Sequence, residues 1–287
     1  MKRATKPFLL VVLATLLVSF SATIYASDSD SCFDAPPEVR EAIKSNVLIL
    51  VFAYDDSAKD FILASQGTGV VVAPNYILSA PHVFTGEIGE SINKSRIKIF
   101  IRRNMQDSVT WEANIVDYKL SYELALLKVS LLGERIQIQG IDCKSADPKL
   151  IGRYAKENSD LSAEERAFSV SVKPACIASS VREGEKIWTN GFTGVGFLNT
   201  CYLGSALLVM KDNFITWSMG IDPIQFFQGH LEHGFSGGAL FNAHGEVVGN
   251  VFAFVAESKT IFMASPSASI TDFLNNIKDP DFVKARQ

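Results

Sequence analysis

From Asn46 onward the chain is a succession of short apolar runs cut by turn residues, and this pattern restricts it to an all-β fold. NVLILVFAY, FILAS, TGVVVAP, YILSA, RIKIFIRR, TWEANIVDY and ELALLKVS follow one another as far as Ser130. Val, Ile, Phe and Tyr dominate the runs, while Gly, Pro, Asn and Asp stand at the joins. The character changes at about Ile141. SADPKLIGRYAKENSDLSAEERAFS is polar and helix-permissive, with a helix-start pattern in Ser162-Ala163-Glu164-Glu165. A second strand series then follows: KIWTNGF, ALLVMKD, NFITWSM, GALFNA, EVVGNVFAFV and TIFMAS. SASITDFLNNIKD closes the chain as an amphipathic helix with Ile270, Phe273, Leu274 and Ile277 on one face. The expected organisation is a first β module over 46–140, an inter-module connection with a helical insertion over 141–178, and a second β module with a C-terminal helix over 179–287. Hydrophobic residues make up 47% of the sequence, enough to fill a substantial core.

The N-terminus belongs to a different reading. MKRATK carries Lys2, Arg3 and Lys6, an apolar run extends from Phe8 to Phe20, and SATIYAS offers a small residue, Ala26, at a cleavage position. Residues 1–26 are expected to be a secretory signal peptide, with 27–45 left as a short N-terminal segment and the mature protein exported, periplasmic or secreted. The alternative is an uncleaved membrane anchor, since Phe8–Ala26 is just long enough to span a bilayer. Cleavage removes three basic residues and shifts the formal charge from −4 to −7. An acidic chain without a basic stripe is not built for nucleic acid.

The cysteines are Cys32, Cys143, Cys176 and Cys201; none forms a CxxC pair, so zinc is not implied. In an oxidising compartment three pairings are open. Cys143 with Cys176 is preferred because the two bracket the polar insertion, and such a bridge would contribute about 3–4 kcal/mol. The alternative is free buried thiols.

HGFSGGALFNAHGEVVGN, residues 233–250, raises the question of chemistry, because Ser236 in a glycine-rich turn is a nucleophile only if a base takes its proton. Four histidines are available. His230 and His233 lie close to Ser236 in sequence, where a tight turn would point them elsewhere. His244 sits in NAHGE, a hairpin tip, and is expected to be solvated. His82 follows GTGVVVAPNYILSAP at the end of a short strand, where a rigid module holds a side chain well, and is the candidate base.

GTGVVVAPNYILSAPHVF, YELALLKVS and HGFSGGALFNAHGEVVG resemble the three signature blocks of chymotrypsin/trypsin-like serine proteases, and look most like the bacterial Deg-type and stand-alone trypsin-like peptidases. The blocks stand in that family's order and the resemblance covers roughly residues 45–280. It implies two six-stranded antiparallel β-barrels and hydrolysis of protein or peptide substrates. Ser236 matches the nucleophile and His82 the general base, and the backbone N–H groups of Gly234 and Ser236 match the oxyanion hole. No cofactor is implied. The oligomeric state is not readable, and a membrane is a partner only if the signal segment stays uncut.

Two departures stand out. The family's acid is normally an aspartate; here its place before the Leu-Ala-Leu-Leu strand is taken by Glu123, with Asp117 as the alternative. Phe235 precedes the serine where zymogen-activated members carry an aspartate, so activation by a newly freed α-amino group is not expected. His230 matches the base of the primary specificity pocket and argues against a preference for basic residues. Phe254 falls on the strand expected to line that pocket, making it shallow and suited to small or apolar side chains; His230 could instead attract an acidic one. Two functions are carried forward. The first is an exported serine endopeptidase, with activity falling on acidification as His82 takes up a proton. The second is a non-catalytic binding module on the same fold.

Overall fold

The structure is a computed structural model that describes residues 34–103, 109–131, 133–139, 153–157, 162, 166–168, 172–193, 198–255, 258 and 260–286. The expected signal peptide, Cys32 and Cys143 lie outside the described residues, as does most of the expected helical insertion.

After a short helix α1 (Pro37–Ala42), six antiparallel strands form the first barrel: β1 (Asn46–Asp55), β2 (Asp60–Ala73), β3 (Tyr76–Ser79), β4 (Ile97–Arg102), β5 (Val109–Lys119) and β6 (Leu124–Val129). They pair in the order β4-β1-β2-β3-β6-β5, and a β4–β5 pairing closes the ring. Between β3 and β4 the chain makes a one-turn helix, α2 (His82–Thr85). A hairpin of β7 (Glu134–Gln139) and β8 (Arg153–Glu157) extends from β5. Of the stretch expected to be helical, Arg153–Glu157 is a strand, while Arg166 and Phe168 are helical and the Arg166 N–H donates to the Ser162 carbonyl at 3.2 Å.

The second barrel comprises β9 (Lys186–Thr193), β10 (Leu198–Met210), β11 (Ile224–Gln228), β12 (Ala239–Phe241), β13 (Val247–Phe254) and β14 (Ile261–Pro266). Its closed ring runs β12-β9-β10-β11-β14-β13, the pairing order of the first barrel with every strand number raised by eight. The expected chymotrypsin-like architecture of two six-stranded antiparallel barrels is thus present.

β1 explains why its sequence is a continuous apolar run rather than an alternating one. Val47, Ile49 and Val51 fill the first barrel. Leu48, Leu50 and Phe52 point the other way and pack with Phe100 and with Phe192 of the second barrel. A strand covered on both faces has no solvent side to reserve for polar residues. Polar groups join the barrels at the same edge, where the buried Asn46 Nδ2 donates to Asn190 Oδ1 at 2.6 Å and to its carbonyl oxygen at 2.8 Å.

Two expectations are corrected. FILAS and TGVVVA form one long strand, β2, bent where an extra residue opposes the Val51/Phe52 step of β1. NFITWSM, read as a strand, is a helix, α3 (Phe214–Met219). Asn213 caps it, accepting from the N–H groups of Ile215 and Thr216, while the Thr216 hydroxyl accepts from the Asn213 N–H. This reciprocal cap overrides the strand preference of the β-branched and aromatic residues inside. The strand in this region is β11, four residues beyond the helix in a segment the pattern did not single out. Cys176 is an exposed thiol, and Cys143, its preferred partner, lies outside the described residues.

The C-terminal helix α4 (Ser267–Asn275) buries Ile270, Phe273 and Leu274 as expected, and Ile277 is buried just beyond it. A further helix, α5 (Pro280–Ala285), sets the Phe282 ring edge-on against Tyr76 at 4.9 Å. Asp279 caps it, accepting from the Phe282 N–H and from the Tyr76 hydroxyl at 2.9 Å. Burial works to raise the Asp279 carboxyl, but the Phe282 N–H, the Tyr76 hydroxyl and the Lys128 ammonium hold it below the ordinary aspartate value.

Two stability measurements follow. Asn213→Ala should cost about 1 kcal/mol in urea denaturation with an unchanged m value, because only the helix cap is lost. Asp279 has a lowered folded-state pKa, so its ionised form contributes stability above the unfolded aspartate value of about 4, and that stability is lost as pH falls through the folded value. Asp279→Asn should therefore be less stable than the parent at neutral pH, and the gap should close in strong acid.

Candidate active site

Three segments from different parts of the chain converge where the barrels meet. β3 ends at Ser79, and Ala80-Pro81 carries the chain into α2, so His82 stands at the first position of a single rigid turn. Its Nδ1 lies 2.9 Å from Glu123 Oε1, and its backbone N–H donates to the same oxygen at 3.1 Å. A carboxylate only accepts, so Nδ1 carries the hydrogen and Nε2 keeps its lone pair. The His82 side chain is 15% exposed and that of Glu123 is fully buried, so the pair is open to solvent from the histidine side alone.

Glu123 leaves a 3-10 turn, Leu120–Tyr122, in the left-handed conformation with φ +52°. A non-glycine residue held there carries about 1–2 kcal/mol of strain. The turn is fixed from the second barrel: the Ser265 hydroxyl donates to the Tyr122 carbonyl, and the Asp222 N–H donates to the Ser121 carbonyl at 2.9 Å. Among the described residues, Glu123 Oε2 is buried without a hydrogen-bond partner. Asp117, the alternative acid, is exposed on β5 and accepts from the Tyr118 N–H. The structure places Glu123 beside His82 and not Asp117.

Ser236 sits in the turn that opens β12. Gly234 and Gly237 have φ of +104° and +82°, conformations that suit glycine. A Cβ on Gly237 would come within 2.1 Å of Ser79 Oγ and 2.2 Å of the Thr68 carbonyl oxygen, so the turn is pressed directly onto the end of β3. Asn250 of β13 holds it from the other side, donating to the Gly237 carbonyl at 2.7 Å. Phe235 is buried, with its ring against Tyr202 and over Gly191, and so belongs to the core of the second barrel.

Thr68 is the residue that sequence reading missed. It is fully buried in β2, yet its N–H and its hydroxyl are both used across the crevice. Its N–H donates to the Ser236 carbonyl at 2.8 Å and its hydroxyl donates to the Gly234 carbonyl at 2.7 Å. The hydroxyl also accepts from the Phe192 N–H, and the Thr68 carbonyl accepts from Ser79 Oγ. One residue of the first barrel thereby sets the serine turn of the second. The available signal was Gly67-Thr68-Gly69, where two glycines flank a polar residue inside an apolar strand. Gly67 marks the close approach itself, since a Cβ there would lie 2.8 Å from both Val83 methyls and 3.0 Å from the Ser236 carbonyl oxygen.

The Ser236 hydroxyl and the N–H groups of Gly234 and Ser236 make no hydrogen bond to a protein group among the described residues. No hydrogen bond joins Ser236 to His82 among the described residues; the two are brought near each other at Gly67, against which Val83, next to His82, and the Ser236 carbonyl both lie. The expected pocket residues are both at the surface. His230 packs edge-on against Tyr202 at 5.1 Å, and Phe254 is 44% exposed with its ring edge-on to His233 at 5.5 Å. Burial and the Glu232 carboxylate, which accepts its hydrogen, push the Tyr202 phenol up to about 12, so it remains a neutral donor. His244 is exposed in its hairpin tip, as expected. Among the described residues no cluster of three or more His, Cys, Asp or Glu side chains is placed to hold a metal ion.

Thr68→Val keeps the shape of the side chain but leaves the Gly234 carbonyl and the Phe192 N–H unpaired. It should cost about 1–3 kcal/mol in denaturant unfolding. Any activity that depends on the serine turn should fall further than this loss of stability alone accounts for, which a rate measured well below the unfolding midpoint reads directly.

Comparison with known proteins agrees with this geometry. The sequence matches the trypsin-like peptidase domain family over residues 67–249, which contains His82, Glu123 and Ser236. An inactive form of Rv3671c from M. tuberculosis H37Rv superimposes with a TM-score of 0.55 at 18% identity, covering 89% of this chain and 97% of that one. The active form of the Rv3671c protease matches with the same TM-score of 0.55 and identity of 18%, over 90% of this chain and 92% of that one. At that identity the likeness speaks for the fold alone. No curated protein matches the chain. A family match that spans both barrels and all three converging segments, on a fold of two six-stranded barrels, identifies the chain as a member of the trypsin-like serine peptidase family.

Proposed function

We propose that the protein is an exported serine endopeptidase in which Ser236, His82 and Glu123 act as nucleophile, general base and orienting acid. The reading rests above all on the His82 Nδ1–Glu123 Oε1 contact of 2.9 Å, which leaves Nε2 as the only ring nitrogen free to take a proton. Ser236 Oγ attacks the peptide carbonyl carbon as its proton passes to Nε2. The negative charge forming on the carbonyl oxygen is met by the N–H groups of Gly234 and Ser236. Collapse of this intermediate breaks the C–N bond, and the amine leaves with the proton from Nε2. Water then repeats the sequence on the acyl-enzyme and restores the serine.

The electrostatics favour this order of events. Glu123 is buried and one of its oxygens has no partner, so a positive charge on His82 is the nearest compensation for the carboxylate. The imidazolium formed during attack is stabilised by that charge, whereas the neutral ground state gains less. Protonation of His82 from solvent removes the base, so activity should decline as pH is lowered. Export is supported by Lys2, Arg3 and Lys6 ahead of the Phe8–Phe20 apolar run, and Edman sequencing of the mature protein should begin near Ser27.

The test is covalent labelling with a fluorophosphonate probe. The parent should label at Ser236, while Ser236→Ala should not label and His82→Ala should label at least about 10³-fold more slowly. Glu123→Gln should lower the rate by about 10³- to 10⁴-fold, the scale observed in the well-characterised trypsin-type triad. A folded protein that does not label at any pH would instead favour a binding module on this fold.

A further inference from the structure

A cleft of about 460 Å³ opens on the second barrel, and none of its lining residues belongs to α2 or to the Ser236 turn. Its floor is the N-terminus of α4. The helix follows Pro266, which gives no side-chain cap, so the first-turn N–H groups at Ser267, Ala268 and Ser269 have no intrahelical acceptor. All three residues line the cleft.

Ser269 supplies a second, independent observation. It is only 3% exposed, lines the cleft, and its hydroxyl has no hydrogen-bond partner among the described residues. A buried hydroxyl left unpaired costs about 1–3 kcal/mol, which a ligand oxygen would recover. Lys211 adds a cation at the rim, where its side chain is 67% exposed and its ammonium lies 3.9 Å from the exposed Asp212 carboxylate. Val181, Val209, Pro223 and Tyr122 form apolar walls, and Ser179, Ser180 and Gln225 complete the lining, with Gln225 Oε1 buried and unpaired among the described residues. Asp222 is the one carboxylate in the lining, and its Oδ1 already accepts from the Asp212 N–H at 3.0 Å.

These features select a ligand. Free helix N–H groups, an orphan hydroxyl and an ammonium favour an anion. Apolar walls favour an apolar stem carrying it, and the volume holds one or two amino-acid residues. We propose that this cleft binds the C-terminal carboxylate of a peptide ending in an apolar residue, with the carboxylate at the first turn of α4 and the last side chain against Val181 and Val209. A bare phosphate or acetate would satisfy the N–H groups and leave the walls unused. The site is separate from the proteolytic one, and its occupancy does not depend on catalysis.

The experiment uses the full mature chain carrying Ser236→Ala, so that the probe is not cleaved. A fluorescein-labelled pentapeptide ending in Ala-Val is titrated as the free acid and as the C-terminal amide, and binding is followed by anisotropy. The free acid should bind at least about tenfold more tightly than the amide. Ser269→Ala, which removes the hydroxyl and adds no atoms at the buried position, and Lys211→Glu at the exposed rim should each weaken the acid severalfold and leave the amide unchanged. The proposal is overturned if acid and amide bind alike or not at all, if neither variant changes binding of the acid, or if inorganic phosphate binds while the peptide acid does not. Unchanged binding of the acid to the parent protein after its serine has been blocked with a fluorophosphonate keeps the two sites distinct; loss of binding there would place the peptide in the catalytic crevice and overturn the proposal as well.

Discussion

Thr68 is the point on which the arrangement of the two barrels turns. A buried threonine usually satisfies its hydroxyl within its own strand or sheet. Here the hydroxyl and the backbone N–H are both spent on carbonyl groups of the Gly234–Ser236 turn. Because each of those bonds is made in a water-excluded crevice, breaking one leaves a buried group unpaired rather than returning it to solvent. The serine turn is thereby referenced to β2, β2 is paired to β3, and β3 carries His82. Ser236 and His82 are registered through a chain of short, stiff contacts rather than through their own hydrogen bond.

The same logic explains the glycines in this region. Where two backbones must pass within van der Waals distance, any side chain would force them apart. Gly67 lets Val83 and the Ser236 carbonyl both approach the strand where a Cβ would stand, and Gly237 lets the serine turn rest on Ser79 and Thr68. Apolar packing supports the contact without directing it. Leu48, Leu50 and Phe52 meet Phe192 over a broad area, which holds the barrels together but tolerates small shifts. Hydrogen bonds fix position within that looser constraint.

The sequence disclosed the parts of this fold that depend on local pattern and on motif. Strand runs with β-branched residues became strands, the apolar face of SASITDFLNNIKD became the buried face of α4, and His82 and Ser236 were found from their blocks. What it hid was set by contacts far apart in the chain. The α3 segment carries strand-forming residues, and only the cap at Asn213 betrays a helix. β8 pairs with β7 across a polar stretch whose composition favours helix. Thr68 looked like one more residue in an apolar strand because its partners lie more than 120 residues away. Choosing between Glu123 and Asp117 needed coordinates for the same reason: both flank strand ends, and only the fold decides which one faces the histidine.

Glutamate in place of the family's usual aspartate has a physical consequence that the backbone makes visible. The longer side chain reaches His82 from a residue held in the left-handed conformation, directly after a 3-10 turn that the second barrel fixes through Ser265 and Asp222. Strain at Glu123 is therefore sustained by contacts from the opposite barrel. Both the His82 ring and its backbone N–H converge on the same oxygen, which restricts the carboxylate to one orientation and leaves the other oxygen bare. An acid held in this way contributes orientation through one oxygen and uncompensated charge through the other. In the proposed mechanism that charge gains its partner when His82 becomes positive, so the orphan oxygen favours the protonated histidine that attack by Ser236 would create.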